Sequence, residues 1–323
     1  MMTQLLVYLL LSPLFFQNLN NMPPEQRAKA EAQNTELRAI LANGKRLPFE
    51  PNAIKVPVPG QEGPMALVSW IAADRNGLIY LIQRSDKLDP VIVVDKNGKV
   101  VHSWGKGMYK TPHAIRIDPK GNVWTTDAAS SMVYKFSPEG KKLMEIEVGG
   151  QPTPCGNFCS TTDIAFAPNG DLFITDGYRN ARVLEYTPDG KKLREWGTAG
   201  TGPGQFTLPH SIQIDENGII YIADRENGRI ERFDLQGKYL GEWTKYGKTF
   251  GLKLDKDAIW LSSIPRGPNS VPGWLIKLDR KTGNFLGYVD ALGNHGMDVM
   301  SNGDLLSASP GATEFPQLYK TKR

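Results

Sequence analysis

The chain contains few of the side chains that build cysteine-rich scaffolds or multi-histidine metal clusters. Its 323 residues include two cysteines and four histidines. A zinc ribbon or a multi-histidine copper site needs more soft ligands than these. The charge is also nearly balanced, with 38 basic and 34 acidic side chains interspersed along the sequence. This leaves no basic stripe to neutralise a phosphate backbone, so no nucleic-acid partner is expected.

The N-terminal segment, residues 1–22, has no charged side chain and includes a largely apolar 12-residue run, Leu5–Phe16. This run is too short to span a bilayer comfortably. Its length suits a secretory signal, although no Lys or Arg precedes it and no small-x-small cleavage site follows. We expect a signal or N-terminal hydrophobic segment, a secreted or periplasmic protein, and no stable membrane insertion of the mature domain. The alternative is an amphipathic or buried segment that stays on the mature protein.

The remaining chain divides into a polar segment and a long β-rich region. Residues 23–51 read as a linker with a short helix over Glu31–Leu41, ended by Asn43-Gly44, and no chemistry is expected there. From residue 52 to residue 323, short β-type runs alternate with Asn-Gly, Asp-Gly and Lys-Gly turns. The sequence therefore predicts an all-β domain over residues 52–323.

The turns of this domain recur at a fixed period. Five glycines close the same apolar hairpin: Gly77, Gly121, Gly170, Gly218 and Gly303. Their steps are 44, 49, 48 and 85 residues, and the last step spans two units, with a turn that has lost its glycine at Lys256-Asp257. A second series runs out of phase with the first: Gly98, Gly140, Gly190, Gly237 and Gly283. Each unit therefore contains four strands.

Six four-stranded units of this length predict a six-bladed β-propeller. The last unit has room for only three strands, so we expect residues 53–59, AIKVPVP, to close it as an N-terminal strand. Such a ring is pinned by both chain ends and has no open seam. Trp104, Trp196 and Trp243 end three outer strands and are expected to pack between blades.

Three of the four histidines occupy one position of the repeat. Counting back eight residues from the first glycine series gives His113, His210 and His295 in alternate blades. The other blades give Ser69, Thr162 and either Thr249 or Phe250. Alternate blades of a six-bladed ring lie about 120° apart and their innermost strands line the central channel, so three imidazoles would converge on the axis.

Three neutral imidazoles with an open fourth position are typical of a catalytic zinc site. Zinc is favoured over other divalent ions by ligand type and availability. The alternative, that each histidine only caps a strand or forms a hydrogen bond in the channel, does not explain why one repeat position is used three times. His102 lies on an outer strand, away from this position, and is expected to be solvated.

The repeat position at the end of the second strand carries aspartate in three blades. Asp127, Asp176 and Asp224 lie six residues beyond their glycine. A repeated aspartate at a strand end usually accepts backbone N–H bonds and fixes a turn. We therefore expect these three side chains to be structural.

The next positions differ between blades, which points to tasks other than folding. Arg84 and Arg225 lie seven residues past their glycine, and Tyr178 lies eight past its own. Each could be an ordinary solvated loop residue. If the loops face the histidine end of the channel, two guanidiniums and a phenol surround the metal. That arrangement suits an anionic substrate.

Two segments, TDIAFAPNGDLFITDGYRNARVLEY and GPGQFTLPHSIQIDENGIIYIADRENGRIERFD, resemble the lyase of peptide C-terminal amidation. That family, peptidyl-α-hydroxyglycine α-amidating lyase, consists of six-bladed NHL-repeat propellers. The resemblance extends over residues 65–305, and its most specific parts are the two PH motifs, DGY, ADRENGR and GQF-x-LPHS. It implies roles for six residues: His113, His210 and His295 as zinc ligands, Tyr178 as catalytic base, and Arg84 and Arg225 as substrate contacts.

The resemblance implies cleavage of a carbinolamide, R-CO-NH-CH(OH)-COO⁻, into a primary amide and glyoxylate, with a peptide or small molecule ending in α-hydroxyglycine as substrate. Two positions depart from the family pattern. Gly296 follows the third histidine, where the animal enzymes have an aspartate tied to a calcium site, so a structural Ca²⁺ is not expected there. Arg179 replaces the second cysteine of the family disulfide; Cys155 and Cys159 remain, either joined in a small loop or as free thiols.

Other functions remain open at this stage. A related lyase could act on ureidoglycolate or another small molecule with the same HO-C-N centre beside a carboxylate. A non-catalytic NHL propeller would bind a protein or glycan partner and need no metal. A calcium-dependent lactonase or esterase would need inward carboxylates and amides, and three imidazoles argue against it. We expect a monomer.

Overall fold

The protein is a ring of six antiparallel β-sheets, each of four strands. The computed structural model describes residues 22–56, 67–85, 87–152, 154, 156–267, 273–292, 294–310 and 315–322. The predicted all-β, six-bladed propeller is confirmed. No helix among these residues is long and apolar enough to cross a membrane. The predicted signal segment lies outside the described residues, apart from Met22.

Each blade runs from an innermost strand at the channel to an outermost strand at the outer edge of the ring. Blade 1 contains β2 (Val68–Ala73), β3 (Ile79–Gln83), β4 (Val91–Val94) and β5 (Val100–Trp104). Blade 2 contains β6 (Pro112–Ile117), β7 (Val123–Asp127), β8 (Met132–Phe136) and β9 (Lys142–Glu147). Blade 3 contains β10 (Thr161–Phe166), β11 (Leu172–Asp176), β12 (Arg182–Tyr186) and β13 (Lys192–Trp196).

Blade 4 follows a short parallel pair, β14 (Thr198–Ala199) and β15 (Gln205–Phe206). It contains β16 (Pro209–Ile214), β17 (Ile220–Asp224), β18 (Arg229–Phe233) and β19 (Tyr239–Trp243). Blade 5 contains β20 (Lys248–Asp255), β21 (Ala258–Ile264), β22 (Gly273–Asp279) and β23 (Phe285–Ala291). Blade 6 contains β24 (Gly296–Val299), β25 (Leu305–Ala308), β26 (Gln317–Thr321) and the N-terminal strand β1 (Phe49–Ala53).

The ring is closed by the N-terminal segment, as predicted, but by a different stretch of it. β1 pairs with β26, with Phe49 opposite Thr321 and Ala53 opposite Gln317. The predicted strand, residues 53–59, begins where the observed strand ends. Ile54 is buried, packs with the cores of blades 1 and 6, and donates its backbone N–H to Pro316, just beyond the end of the β1–β26 ladder. Residues 57–59 lie outside the described residues.

Three of the five outer turn glycines lie against a tryptophan of the preceding blade. A Cβ at Gly140 would lie 2.6 Å from the ring of Trp104, and a Cβ at Gly283 would lie 2.3 Å from that of Trp243. Trp196 lies on Gly237 in the same way. The predicted packing of these tryptophans between blades is therefore confirmed, and larger residues at these turns would separate neighbouring sheets.

The turn without glycine in blade 5 is one residue shorter than the glycine turns, but it also places one residue at positive φ. Lys256 has a φ of 52°, in the left-handed region that glycine occupies at Gly218 and Gly303. Lys256-Asp257 therefore joins β20 to β21 as a two-residue turn, in the place predicted from the interrupted glycine series.

A helix, α1 (Pro24–Asn43), precedes the propeller and packs on blades 4 and 5. It begins seven residues before the predicted helix Glu31–Leu41 and ends beside Gly44. Leu37 and Leu41 enter the apolar core of these blades. Gln33 and Asn34 are buried as well, and their hydrogen bonds reach the loops at one end of the propeller.

Candidate active site at the propeller axis

The topology of the blades brings the predicted site residues to one end of the channel. The innermost strands start at this end, and the second strands return to it. Thr161, at the start of β10, is paired with Asp176 at the end of β11, and Pro209 is paired with Asp224 in the same way. The loops that follow the second strands therefore lie beside the starts of the inner strands.

A β-bulge at the start of the inner strand places the axial residue. In blade 4 the register shifts between Pro209 and Ser211, so His210 is the bulged residue. In blade 2 the shift falls between Pro112 and Ile115, around His113. A bulge leaves its residue out of the ladder and turns it away from the sheet. The two histidines are thereby directed to the axis.

The three predicted histidines form one buried group. The ligand nitrogens of His113, His210 and His295 all lie within 4.8 Å of one another. Their ring centroids are 4.9 Å apart in each pair. The fourth histidine, His102, is partly buried on the outermost strand of blade 1, and its Nε2 lies 2.8 Å from the carbonyl oxygen of Pro138. The register predicted from the sequence therefore gives a group that could hold a metal.

The blades between the histidines orient the imidazoles through backbone carbonyls. Nδ1 of His113 lies 2.6 Å from the oxygen of Thr162, and Nδ1 of His210 lies 2.6 Å from that of Phe250. Nδ1 of His295 lies 2.8 Å from the oxygen of Ser69. Each Nδ1 therefore carries the proton and donates it, so each Nε2 keeps its lone pair for a ligand.

These carbonyls belong to the repeat positions that the histidines occupy in the alternate blades. Ser69, Thr162 and Phe250 are themselves at bulges, and the bulge in blade 5 settles the register in favour of Phe250 over Thr249. The sequence could not show this role, because any residue offers a carbonyl.

Burial keeps the three imidazoles neutral. The pKa of His113, His210 and His295 is lowered well below 6.5, first by burial and then by nearby cationic groups, among which Arg225 acts on all three residues. Neutral imidazole is the ligand form, so the group is ready for a metal without losing protons. Three nitrogen donors with oriented rings fit a zinc ion with an open position.

The phenol of Tyr178 lies directly at the histidine group, as predicted. Its Oη is 2.8 Å from Nε2 of His113, to which it donates, and 3.3 Å from Nε2 of His210. Burial raises the pKa of Tyr178 above 10.0, while the Arg225 and Arg84 guanidiniums oppose the rise. Both cations therefore lie near the phenol, but without a metal the effect of burial on the pKa of Tyr178 is larger than theirs.

Arg225 is held in place by a buried carboxylate. Its Nε donates to Glu226 at 2.9 Å, and Nζ of Lys248 lies 3.0 Å from the other oxygen of Glu226. The Arg225 guanidinium also lies 6.0 Å from the ring of Tyr178 and 4.7 Å from that of Phe250. Sequence reasoning missed Glu226 and Lys248, which are buried charged residues at the edge of the site.

Helix α1 reaches the same loop through Arg266. Nη1 of Arg266 donates to Gln33 at 2.7 Å, its backbone N–H donates to Asn34, and its Nη2 donates to the carbonyl of Glu226. The segment predicted as a linker without chemistry therefore supports the turn that carries Arg225.

Arg84 follows β3 of blade 1 and is held by neutral partners. Its Nε donates to the carbonyl of Pro112 at 3.1 Å and its Nη2 to Oγ of Ser69 at 2.8 Å. No carboxylate of the described ranges lies within ion-pair distance of it. A guanidinium fixed by neutral partners in this way remains available to an anion.

Two of the three repeated aspartates accept backbone N–H groups at turns, as predicted, whereas the hydrogen bonds to Asp176 come from the side chains of Gln151, Asn180 and Arg182. Asp127 accepts the backbone N–H groups of Lys110 and Thr111. Asp224 accepts those of Thr207 and Leu208. Each of these two carboxylates ties the segment before an inner strand to the end of the second strand, which stabilises the end of the ring where the site lies.

The floor of the site is a tryptophan that sequence reasoning missed. The ring of Trp70 lies 5.8, 6.1 and 5.5 Å from those of the three histidines. A Cβ at Gly296 would lie 2.5 Å from Cα of Trp70, so this position, which departs from the family pattern, must stay small. Asp298, two residues after Gly296, forms an ion pair with Lys253, with 2.7 Å between Oδ1 and Nζ. Trp70 occurs in only one blade, so the repeat gave no signal for it.

A buried ion pair supports this tryptophan from the far side. The Arg116 guanidinium lies 4.9 Å from the Trp70 ring and pairs with both oxygens of Asp163, at 2.9 and 2.5 Å. It also donates to Ser211 Oγ and to the carbonyl of Leu252. Trp70, Arg116, Asp163, Ser211 and Leu252 come from blades 1 to 5 in that order. The Arg116–Asp163 ion pair therefore connects five of the six blades beneath the histidines.

Comparisons with known proteins agree with this architecture. A family model described as a six-bladed β-propeller matches residues 158–247. Peptidyl-glycine α-amidating monooxygenase of Mus musculus is 37% identical over 160 residues, 46% of this chain and 16% of that protein. Peptidyl-α-hydroxyglycine α-amidating lyase 2 of Drosophila melanogaster is 32% identical over 268 residues, 77% of this chain and 64% of that protein. The chain thus spans a small part of the mouse relative and just under two thirds of the fly relative.

A solved streptogramin B lyase shares the fold, with a TM-score of 0.60, 16% sequence identity, and coverage of 85% of this chain and 98% of that one. This likeness concerns the propeller alone. Several relatives are named as peptidyl-α-hydroxyglycine α-amidating lyases, among them proteins of Drosophila melanogaster and Caenorhabditis elegans. The chain belongs to the peptidyl-α-hydroxyglycine α-amidating lyase family of NHL-type six-bladed β-propellers.

Proposed function

We propose that the protein is a zinc-dependent lyase that cleaves the C–N bond of an N-acyl-α-hydroxyglycine to give a primary amide and glyoxylate. One observation carries this proposal: three neutral, oriented imidazoles meet at a buried phenol, beside a guanidinium that has no carboxylate partner among the described residues. The names of the relatives support the reaction class.

His113, His210 and His295 would hold the zinc ion through Nε2, since each Nδ1 is committed to a carbonyl. A zinc ion there would supply positive charge that favours ionisation of both the substrate hydroxyl and the Tyr178 phenol. All three ligands are neutral, which leaves this charge uncompensated by the protein. The Trp70 floor closes one side of the group, so substrate enters from the loop side.

Arg84 would bind the substrate carboxylate. It is oriented by Pro112 and Ser69, and it has the planar fork that pairs with a carboxylate through two hydrogen bonds. Arg225 has a different task, because Glu226 already neutralises it. Its place beside Tyr178 suits a residue that orients the phenol and lowers the cost of its negative charge.

Tyr178 would then transfer one proton. In its ionised form, which a bound zinc ion would favour, its oxygen takes the proton from the substrate hydroxyl. The C–O bond becomes the aldehyde C=O of glyoxylate, and the C–N bond breaks. The same proton passes to the departing amide nitrogen, which gives the primary amide. No water is consumed, so the reaction is a lyase reaction and not a hydrolysis.

Zinc-loaded protein is expected to convert α-hydroxyhippurate into benzamide and glyoxylate in equal amounts. Glyoxylate is measured by its hydrazone and benzamide by chromatography. Treatment with a chelator should abolish the release, and added zinc should restore it. Hippurate, which lacks the hydroxyl, is the matched control and should give neither product.

The same assay separates the alternatives. Glyoxylate released from ureidoglycolate but not from α-hydroxyhippurate would support the small-molecule lyase. No glyoxylate from either compound, with zinc bound, would contradict the lyase and favour a non-catalytic propeller that binds a protein or glycan.

We also propose that the protein is exported. The apolar run Leu5–Phe16 suits a secretory signal. Cys159 is buried and in the disulfide form, which is typical of oxidising compartments. The chain's other cysteine, Cys155, lies outside the described residues.

A further inference from the structure

Most exposed apolar side chains of the propeller follow its repeat. Within the described part of the chain, eight large apolar residues are exposed. Five of them are the second residue of an outermost strand: Val101, Leu143, Leu193, Leu240 and Leu286. A position that recurs in five blades is a property of the repeat and indicates no ligand.

The other three exposed apolar residues break this pattern and share one end of the ring. Leu67 precedes β2, Phe158 lies before β10, and Leu292 lies between β23 and β24. The inner strands start at the histidine end of the channel, so all three residues lie at that end. We call them the apolar rim.

Phe158 belongs directly to the site. Its ring centroid lies 4.9 Å from that of Tyr178, and the Arg84 guanidinium lies 5.1 Å from the Phe158 ring. Phe158 nevertheless remains 39% exposed, whereas Tyr178 is 6% exposed. One part of the ring therefore contacts the proposed catalytic residues, and the rest is open to a ligand.

The end of the loop that carries Phe158 is fixed. The backbone N–H groups of Cys159 and Ser160 both donate to the carbonyl of Ala128, at 2.9 and 3.1 Å. Cys159 is fully buried and disulfide-bonded. An aromatic ring held in this way loses little conformational freedom when it binds a ligand.

We propose that the apolar rim, and Phe158 above all, binds the acyl group of the substrate and selects N-acyl-α-hydroxyglycines with a large apolar or aromatic group next to the scissile bond. This inference rests on the function proposed above. With the carboxylate at Arg84 and the hydroxyl at the histidines, as proposed above, the acyl group can pack on Phe158, an exposed ring that contacts both Arg84 and Tyr178. A ureido group is small and polar and would gain little from this ring.

The test compares two substrates, N-benzoyl-α-hydroxyglycine and N-acetyl-α-hydroxyglycine. The wild type is expected to prefer the benzoyl compound in kcat/KM, and Phe158→Ala is expected to reduce the benzoyl-to-acetyl ratio about tenfold. Phe158→Leu should reduce it less, because an apolar contact remains. Hippurate should inhibit the wild type more strongly than N-acetylglycine, and Phe158→Ala should remove that difference.

Leu193→Ala is the matched control, since Leu193 is exposed on the outer strand of the same blade. It should leave both kcat/KM values unchanged. An unchanged ratio in active Phe158→Ala and Phe158→Leu would overturn the inference, even if both substrates slowed equally, because that result assigns Phe158 a purely structural role. Absence of glyoxylate from either substrate in the wild type would instead contradict the proposed function.

Discussion

The Asp163→Asn variant is expected to lose about 3–5 kcal/mol of free energy of unfolding. Asp163 is fully buried, and its two oxygens accept hydrogen bonds from Nε and Nη2 of Arg116. The same carboxylate accepts hydrogen bonds from the Ser211 hydroxyl and from the backbone N–H of Ile212. Neutralising it leaves the Arg116 charge buried without a counter-charge, and a charge in that state is far more costly than a lost surface contact.

Denaturant unfolding of Asp163→Asn and Glu145→Gln measures this effect. Glu145 pairs with Lys142 on an exposed outer strand, so its neutralisation should cost less than about 1 kcal/mol. Similar losses of the free energy of unfolding in the two variants would show that the Arg116–Asp163 ion pair does not hold the blades together beneath the site. The measurement needs no metal and does not depend on the proposed reaction.

The Tyr178→Phe variant is expected to lose about 10²- to 10⁴-fold in kcat while it keeps its metal. The substitution removes only the hydroxyl that lies 2.8 Å from His113 and 3.3 Å from His210. The three imidazoles remain oriented by their carbonyl partners, so metal content should not change. Steady-state glyoxylate release and elemental analysis of the same sample give both readouts.

Tyr246→Phe is the matched control for this variant. Tyr246 is buried to a similar extent, and its hydroxyl donates to the carbonyl of Gly283, far from the histidines. Its loss should affect stability and leave kcat within about twofold. A Tyr178→Phe enzyme with full zinc and nearly unchanged kcat would contradict the role of the phenol as base.

The metal ligands could be predicted because the propeller repeats them. His113, His210 and His295 stand at one distance from a turn glycine, and ring symmetry turns that distance into convergence at the axis. The outer tryptophans were predictable for the same reason, since each packs on the outer glycine of the next blade.

The rest of the site could not be predicted because it departs from the repeat or leaves no mark in the residue type. Trp70 and Phe158 each occur in a single blade. The carbonyls of Ser69, Thr162 and Phe250 could belong to any residues. The strand that closes blade 6 was placed too late because the alternating pattern of residues 53–59 resembles a strand, whereas Phe49–Ala53, with two polar residues and a proline, does so less clearly.

The most direct test of this account is the metal content of the purified protein. The wild type, offered zinc and then desalted, should contain about one zinc ion per chain, and His210→Ala should contain almost none. His102→Ala is the control, since that histidine lies on the outermost strand of blade 1, away from the axis. This variant should keep its zinc. A wild type that stays free of metal after zinc is offered, or a His210→Ala variant with the same zinc content as the wild type, would contradict the axial metal site.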